Sequence, residues 1–272
     1  MGCCETREHD YNYKPPSDPS LSYLRPVSDG QLSLQHRVSK MEGDLYYLPY
    51  EFVSPNTNYH LADHAKFKEI DSFPDTDIRM RFEFALELLS DSPKWVTEHK
   101  DEFIGIFSQE SSKFDTVSTV IKEEIILGDY FPTQHILDSL YDPAKRMAWD
   151  KNITYMRNEG EDQNDVICYN RIEYFIIKKY LAERRVIFRH RNEVVVVYYS
   201  VDKEVPQEMT KGASLRKILM GVHFIHQEQD NTKLIVITQL ETIPNLGKKI
   251  MIKGIVSWIK SFKKYLVKTS NT

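Results

Sequence analysis

Apolar residues recur at helical spacing in three parts of the chain, separated by stretches with a different pattern. Asp75 or Thr76 can cap the first helix, whose single apolar stripe runs through residues 78–89. A helix-turn-helix follows over 132–150, where an Asp-Pro pair supplies an N-cap and a first helical residue. The last helix covers about 245–268, and its apolar stripe consists of Ile252, Ile255, Val256, Ile259, Phe262 and Leu266.

Strand patterns, bounded by polar turns, fill most of the remaining sequence. Two strands precede the helix-turn-helix, at 103–108 and 119–127, and six follow it, at about 153–157, 165–174, 184–189, 193–201, 215–227 and 233–242. This order predicts an α+β fold in which a strongly curved antiparallel sheet is crossed by the last helix. Such a sheet leaves a cavity under the helix, and large apolar cavities bind lipophilic ligands.

The run from Val194 to Tyr199 is apolar almost continuously, on both faces of the predicted strand. A strand of this kind is buried on both faces. We therefore expect its outer face to be covered by the N-terminal segment or by a protein partner.

The first part of the chain has a different character. Residues 5–39 are polar and interrupted by four prolines, which predicts a flexible tether. Residues 44–53 are rich in aromatic side chains and form either a segment that packs on the domain surface or an irregular loop. We divide the chain into a tether and surface-packing arm at 1–75 and a folded domain at 76–270.

The N-terminal sequence Met-Gly-Cys-Cys-Glu-Thr matches the pattern for myristoylation of Gly2. A single myristoyl chain binds membranes only marginally, at about 10⁴ M⁻¹, so stable attachment requires a second signal. Cys3 and Cys4 are candidate palmitoylation sites that would supply it. The alternative is a chance match on an unmodified terminus. The acylated chain is expected at the cytoplasmic face of a membrane, either the plasma membrane or vesicles.

Charge and composition exclude several classes of protein. The 272 residues carry a net charge of −4, which gives no global reason to expect nucleic acid binding. No run approaches the ~18 apolar residues of a membrane-spanning helix, and no secretory signal is evident. Apart from Cys3 and Cys4, only Cys168 is present, so we expect no disulfide framework, and we also expect no metal and no cofactor.

The segment Tyr141-Asp-Pro-Ala-Lys-Arg-Met-Ala-Trp-Asp150-Lys-Asn resembles a helix-turn of the START (steroidogenic acute regulatory protein-related lipid transfer) domains. Ser200, Pro206, Arg216 and the Ile-Pro pair at 243–244 follow in the order of that family. The resemblance is closest to the phosphatidylcholine-transfer branch. It implies a helix-grip fold that holds one lipid in a tunnel, with the last helix and the 202–214 loop as a lid.

In phosphatidylcholine binders of this family the matched Arg and Asp contact the headgroup, and here they are Arg146 and Asp150. The resemblance thus implies that Arg146 binds the phosphate and Asp150 the quaternary amine, which suits their charges. The alternative is an ordinary ion pair within one helix, worth about 0.3–0.5 kcal/mol if exposed. Trp149 is expected in the core.

One departure from the family concerns the aromatic residues that surround the choline cation. Arg184-Arg185-Val186 stands where the resemblance predicts an aromatic residue near the start of a strand. Alternation along a strand points one of two adjacent tyrosines toward the cavity. The remaining candidate lipid contacts, including substitute aromatics, are Tyr169, Tyr174, Tyr198, Tyr199 and Arg216.

The last helix carries seven lysines and no acidic residue over 248–268. Each Lys near an anionic leaflet contributes about 1 kcal/mol, so this face can reinforce membrane attachment. The alternative is a solvated face on a helix whose other side packs in the core. Candidate lid and membrane contacts are Met209, Ile255, Trp258, Ile259 and Phe262.

His223 and His226 are three residues apart in a predicted strand and would point to opposite faces, which excludes a shared metal ion. No nucleophile elbow, P-loop or dinucleotide motif is present. We expect a monomeric, non-enzymatic carrier or sensor of a membrane lipid, such as phosphatidylcholine. The alternatives are an enzyme of the same fold acting on a small lipophilic substrate and an acylated adaptor that binds a protein.

Overall fold

The computed structural model describes residues 73–90, 94–115, 117–174, 177–190, 193–227, 231–241 and 247–270. Its helices are α1 (Thr76–Leu89), α2 (Thr133–Tyr141), α3 (Pro143–Trp149), α4 (Gln207–Thr210) and α5 (Lys248–Ser270). Its strands are β1 (Val96–Lys100), β2 (Ile104–Ser111), β3 (Ser118–Ile126), β4 (Ile153–Asp162), β5 (Asp165–Tyr174), β6 (Ile177–His190), β7 (Glu193–Ser200), β8 (Ser214–Leu215), β9 (Ile218–Gln227) and β10 (Thr232–Leu240).

The strands within the described residues form one sheet in the order β1-β2-β3-β10-β9-β7-β6-β5-β4. All neighbours on this path are antiparallel, and the short β8 adds a parallel pair beside β6. The predicted curved antiparallel sheet crossed by a last helix is confirmed. The prediction missed β1, began β6 at Arg184 rather than at Ile177 and ended β4 at 157 rather than at Asp162, because polar and charged residues interrupt the apolar pattern in these stretches.

Helix α1 covers the outer face of the sheet. Asp75 caps it, with its Oδ1 accepting a hydrogen bond of 2.9 Å from the backbone N–H of Ile78. The buried side chains of α1 form one apolar cluster with Val195, Val197 and Phe224. The apolar outer face of β7 is therefore buried within the domain, so this strand does not require a partner protein.

Helix α5 crosses the inner face of the sheet. Its residues Ile252, Ile259, Phe262 and Leu266 are buried in a second apolar cluster with inner residues of β2, β3, β7, β9 and β10. Its exposed face carries six of the seven lysines, Lys248, Lys249, Lys253, Lys260, Lys264 and Lys268. The alternation of the strands thus separates two apolar layers, one under α1 and one under α5.

Several sequence predictions fall outside the described residues. They are the acylation sites Gly2, Cys3 and Cys4, the polar tether at 5–39, the aromatic segment at 44–53, and the Ile-Pro pair at 243–244 with the predicted helix start at 245. The proposed boundary between 1–75 and 76–270 therefore stays a prediction, although α1 begins where the sequence placed the first helix. None of the helices in the described part of the chain is long and apolar enough to cross a membrane.

Candidate functional site

A cavity of about 340 Å³ lies between the inner face of the sheet and α5. Its opening is near Ile250, which lines the cavity and is nevertheless 48% exposed. The wall contributed by α5 consists of Ile250, Met251, Gly254, Ile255 and Trp258. The apolar wall opposite consists mainly of Ile121, Leu140, Ile153, Met156, Ile172, Ile177, Leu181, Ile218, Val236 and Leu240. Such a lining is suited to hydrocarbon.

Helix α3 positions the first of three cavity arginines. Asp142 caps this helix by accepting a hydrogen bond from Lys145 N–H at 2.9 Å. Arg146, one turn later, places Nη2 2.6 Å from Oδ2 of Asp150, and this oxygen also accepts a hydrogen bond of 3.1 Å from Nε1 of Trp258. Asp150 does not line the cavity, whereas Arg146 does. The carboxylate therefore fixes Arg146 to the wall.

Strand β6 supplies the second arginine. Glu183 and Arg185, two residues apart, lie on the same face of β6, line the cavity and form a buried ion pair of 2.5 Å. The guanidinium of Arg185 also lies 4.2 Å from the centre of the Tyr141 ring. Arg184 points away from the cavity and pairs with Asp165 and Asp75 instead.

Arg216 is the third arginine of the cavity and lies just before β9. Among the described residues, no carboxylate forms an ion pair with it, and its Nε is buried without a hydrogen-bond partner. Burial lowers the pKa of Arg216 because desolvation penalises the charged form. The nitrogens Nε of Arg146 and Nε and Nη1 of Arg185 are also buried without a partner.

His223 links two tyrosines at the cavity wall. Its Nδ1 is hydrogen-bonded to the hydroxyl of Tyr141, and its Nε2 lies 3.0 Å from the hydroxyl of Tyr198. Burial, together with the charges of Arg146 and Arg185, lowers the pKa of His223 to about 3. The imidazole is therefore neutral at neutral pH, with one ring nitrogen donating and the other accepting.

Glu123 of β3 adds a titratable group to the same wall. Its side chain is buried, and desolvation raises its pKa to about 8. At neutral pH the carboxyl is consequently protonated and carries no charge. The other acidic groups beside the cavity arginines, Glu183 and Asp150, each form an ion pair with one of them.

The structure separates the predicted tyrosine contacts. Tyr198 lines the cavity, whereas Tyr199 lies on the outer face with the guanidinium of Arg81 3.8 Å from its ring centre. Tyr169 is buried in a small cluster on that side and donates a hydrogen bond of 3.1 Å to Glu159. The expectation that Tyr169 and Tyr199 face the lipid is thus corrected, because alternation along β5 and β7 turns them away.

The predicted lid residues also divide into two groups. Ile255 and Trp258 line the cavity, while Ile259 and Phe262 are buried deeper in the core under α5. Met209 of α4 is fully buried against Tyr169 and Ala182, away from the cavity. In this conformation Met209, Ile259 and Phe262 are therefore not available to a membrane surface. Trp149 is in the core, as expected from the sequence.

Polar cavity residues that were missed as site candidates in the sequence include Glu123, Tyr141, Lys179, Glu183, Arg185 and His223. The available signal was a polar side chain at an inward position of an otherwise apolar strand. His223 was interpreted as an ordinary strand residue, and His226, on the opposite face, pairs with Glu193 at 2.8 Å. No cluster of potential metal ligands occurs in the described parts of the chain.

Solved structures with the same fold include three human proteins. Human STARD10 is 16% identical with a TM-score of 0.59, covering 74% of this chain and 82% of its own. Human StAR-related lipid transfer protein 5 is 14% identical with a TM-score of 0.57, covering 70% and 92%. The lipid transfer and protein localization domain of human StarD13 is 13% identical with a TM-score of 0.51, covering 72% and 96%.

No family model and no curated protein sequence matches the chain. The structural likeness nevertheless confirms the α+β helix-grip fold that the sequence predicted. At these identities the likeness concerns the fold and does not distinguish one branch of START domains from another.

Proposed function

We propose that this chain, which has the fold of START domains, binds one membrane glycerophospholipid in its cavity and transfers or senses it. The acyl chains would occupy the apolar wall, and the phosphate would lie at the arginines. No chemical change to the lipid is part of this function. The names of two of its structural neighbours include lipid transfer, which agrees with the proposal.

One observation carries the proposal: an apolar cavity whose lining includes three arginines with buried, unpartnered nitrogens. Buried polar groups are nearly always hydrogen-bonded, and each exception requires an explanation. Phosphate oxygens are strong acceptors for guanidinium groups, and the hydrocarbon of the same lipid matches the apolar walls. A phospholipid satisfies both parts of the cavity at once.

Membrane attachment is the second part of the proposal. Acyl chains on Gly2 and Cys3 or Cys4 would hold the domain at a cytoplasmic membrane surface, where the exposed lysines of α5 add electrostatic attraction. A domain on such a tether reaches only nearby membrane, which favours short-range transfer or sensing.

Lipid capture by the full chain tests this function. The protein is incubated with vesicles of mixed phospholipids, separated from them by gel filtration, and examined by native mass spectrometry. A carrier should leave with one intact phospholipid per chain. Recovery of a chemically altered lipid would instead support the alternative that the protein is an enzyme. Recovery of no lipid would contradict the proposal and favour the alternative that it is an adaptor for a protein partner.

A further inference from the structure

We infer that the lipid bound in this cavity carries a net negative headgroup, with no quaternary amine beside the phosphate. The inference rests on the proposed function and concerns the class of lipid. Phosphatidic acid, phosphatidylserine, phosphatidylglycerol and phosphatidylinositol share this chemistry. Phosphatidylcholine, which the sequence resemblance favoured, does not.

The charges at the cavity wall are unbalanced. Arg146 is paired with Asp150, and Arg185 is paired with Glu183. Arg216 forms no ion pair in the described residues, and the carboxylate that attracts it, Glu183, already holds Arg185. Three guanidinium groups therefore share two paired carboxylates, and the buried Glu123 forms no ion pair with any of them. A zwitterionic headgroup adds no net charge and leaves this excess, whereas an anionic headgroup compensates it.

The cavity arginines also carry hydrogen-bond donors that have no acceptor in the protein. Four guanidinium nitrogens on Arg146, Arg185 and Arg216 are buried without any acceptor. Phosphate oxygens can accept several of these bonds, and each bond between charged partners is stronger than a neutral one. Every phospholipid supplies such a phosphate, but the quaternary amine of phosphatidylcholine adds no further acceptor, whereas the carboxylate of phosphatidylserine or the additional phosphate oxygen of phosphatidic acid does.

Two aromatic faces and two carboxylates that could receive a choline cation already hold arginines. A trimethylammonium group requires an aromatic face or a free carboxylate. Arg185 lies 4.2 Å from the ring centre of Tyr141, and Arg146 lies 5.2 Å from that of Trp258. The carboxylates of Asp150 and Glu183 each hold one of these same arginines. A choline placed here would meet like charge.

Lys179 extends the positive character of the lining. It lines the cavity, and its Nζ donates a hydrogen bond of 2.8 Å to the exposed Oγ of Ser214. The side chain thus reaches from the wall toward the surface beside β8. An anionic headgroup passing this point meets a cation before it reaches the arginines.

The test is competition between headgroups within one vesicle. Vesicles contain equal amounts of phosphatidylcholine, phosphatidylethanolamine, phosphatidylserine and phosphatidic acid with identical acyl chains, and the lipid captured by the full chain is identified by mass spectrometry. Because all lipids share one surface, attraction of α5 to the membrane affects them equally. We expect the anionic lipids to be enriched about tenfold over phosphatidylcholine, the effect of one additional charge-assisted contact.

Three variants distinguish the contribution of the cavity to headgroup preference from that of the protein surface. Arg216→Gln should reduce the tenfold preference to about unity, whereas Arg157→Gln, at an exposed arginine of β4, should preserve it. The double variant Lys260→Gln/Lys264→Gln on the exposed face of α5 should lower total capture and leave the preference unchanged.

The outcomes are distinguishable. Capture of phosphatidylcholine at or above its share of the vesicle would overturn the anionic headgroup and leave the proposed function standing. Capture of no phospholipid would contradict the proposed function itself. The ratio of anionic lipid to phosphatidylcholine captured by the wild-type protein tests the inference even if Arg216→Gln fails to fold.

Discussion

The ring of Tyr198 occupies the space where residue 221 would carry a side chain. The two residues are paired across β7 and β9, and a Cβ added to Gly221 would lie 2.2 Å from the Tyr198 ring. This space allows the Tyr198 hydroxyl to reach His223. Glycine is required at residue 221 because the Tyr198 ring approaches so closely. Backbone conformation is not the reason, since Gly221 does not have a positive φ.

Gly221→Ala should therefore displace Tyr198 from His223 and destabilise the domain. Overpacking a filled core typically costs about 1–3 kcal/mol, which denaturant unfolding resolves. Gly247→Ala is the matched control, because an added Cβ meets nothing within 4 Å there. Equal unfolding free energies for both variants would contradict the contact.

Arg216→Met should stabilise the lipid-free protein while weakening lipid capture. The substitution removes a buried cation that forms no ion pair, and because desolvating an ion costs several kcal/mol, we expect a gain in stability of about 1–4 kcal/mol. Thermal unfolding of lipid-free protein provides the measurement, with Arg157→Met as a control expected to change stability by less than about 0.5 kcal/mol. A less stable Arg216→Met variant would show that the guanidinium has a structural partner.

Glu123 should make the domain less stable as pH rises. Its pKa is raised from 4.5 to about 8 on folding, so the unfolded carboxyl loses its proton first. The associated stability is fully present below pH 4.5 and is lost progressively up to about pH 8. Glu123→Gln should remove this loss, which unfolding measured between these two limits would show.

The neighbouring Glu124→Gln provides the control, since Glu124 faces the other side of β3, where Lys122 pairs with it at 3.0 Å. His223 acts in the opposite direction. Its pKa falls from 6.5 to about 3 on folding, so the stability that the neutral imidazole contributes to the domain is lost as pH falls from 6.5 to about 3. The difference in unfolding free energy between wild type and Glu123→Gln at each pH therefore reports the contribution of the Glu123 carboxyl alone. Identical profiles for the two proteins would show that Glu123 ionises normally.

Gly254→Leu should close the cavity without unfolding the protein. A Cβ at this position of α5 would lie 3.4 Å from the hydroxyl oxygen of Tyr174, and both residues line the cavity. The larger side chain would fill space needed by the lipid, and we expect capture to fall about tenfold. Gly247→Leu is the control, and unchanged capture by Gly254→Leu would place the lipid elsewhere.

Gly2→Ala should release the full chain from membranes. Myristoylation requires Gly2, and each buried CH₂ of the acyl chain contributes about 0.8 kcal/mol of membrane binding. Fractionation of cells that express the variant measures the release. Lipid capture from vesicles by the purified variant should be retained, and unchanged membrane association would refute the acyl anchor.

Local signals in the sequence were sufficient for most elements of the fold. Asp75 and the Asp142-Pro143 pair start their helices where the sequence predicted, because a cap depends on only a few neighbouring residues. The stripe on α5 likewise follows from one period. Strand β1 escaped notice because its residues at an exposed sheet edge are mostly polar.

The composition of the cavity depended on register, which the sequence does not specify. Alternation predicted that one of Tyr198 and Tyr199 faces inward, and only pairing with β9 identifies Tyr198. The same uncertainty applied to Arg184 and Arg185, of which the second is inside. Contacts between distant strands, such as Tyr198 with His223, leave no local pattern.

The pairing of β3 with β10 has a consequence for biosynthesis. In this pairing Ile121 lies opposite Thr238. One edge of β3 therefore stays unpaired until more than a hundred further residues have been translated and β10 is available. Topologies with such distant contacts fold slowly, and unpaired strand edges invite aggregation. The nascent chain should therefore depend on chaperones until β10 has left the ribosome, and truncation before Thr232 should yield insoluble protein.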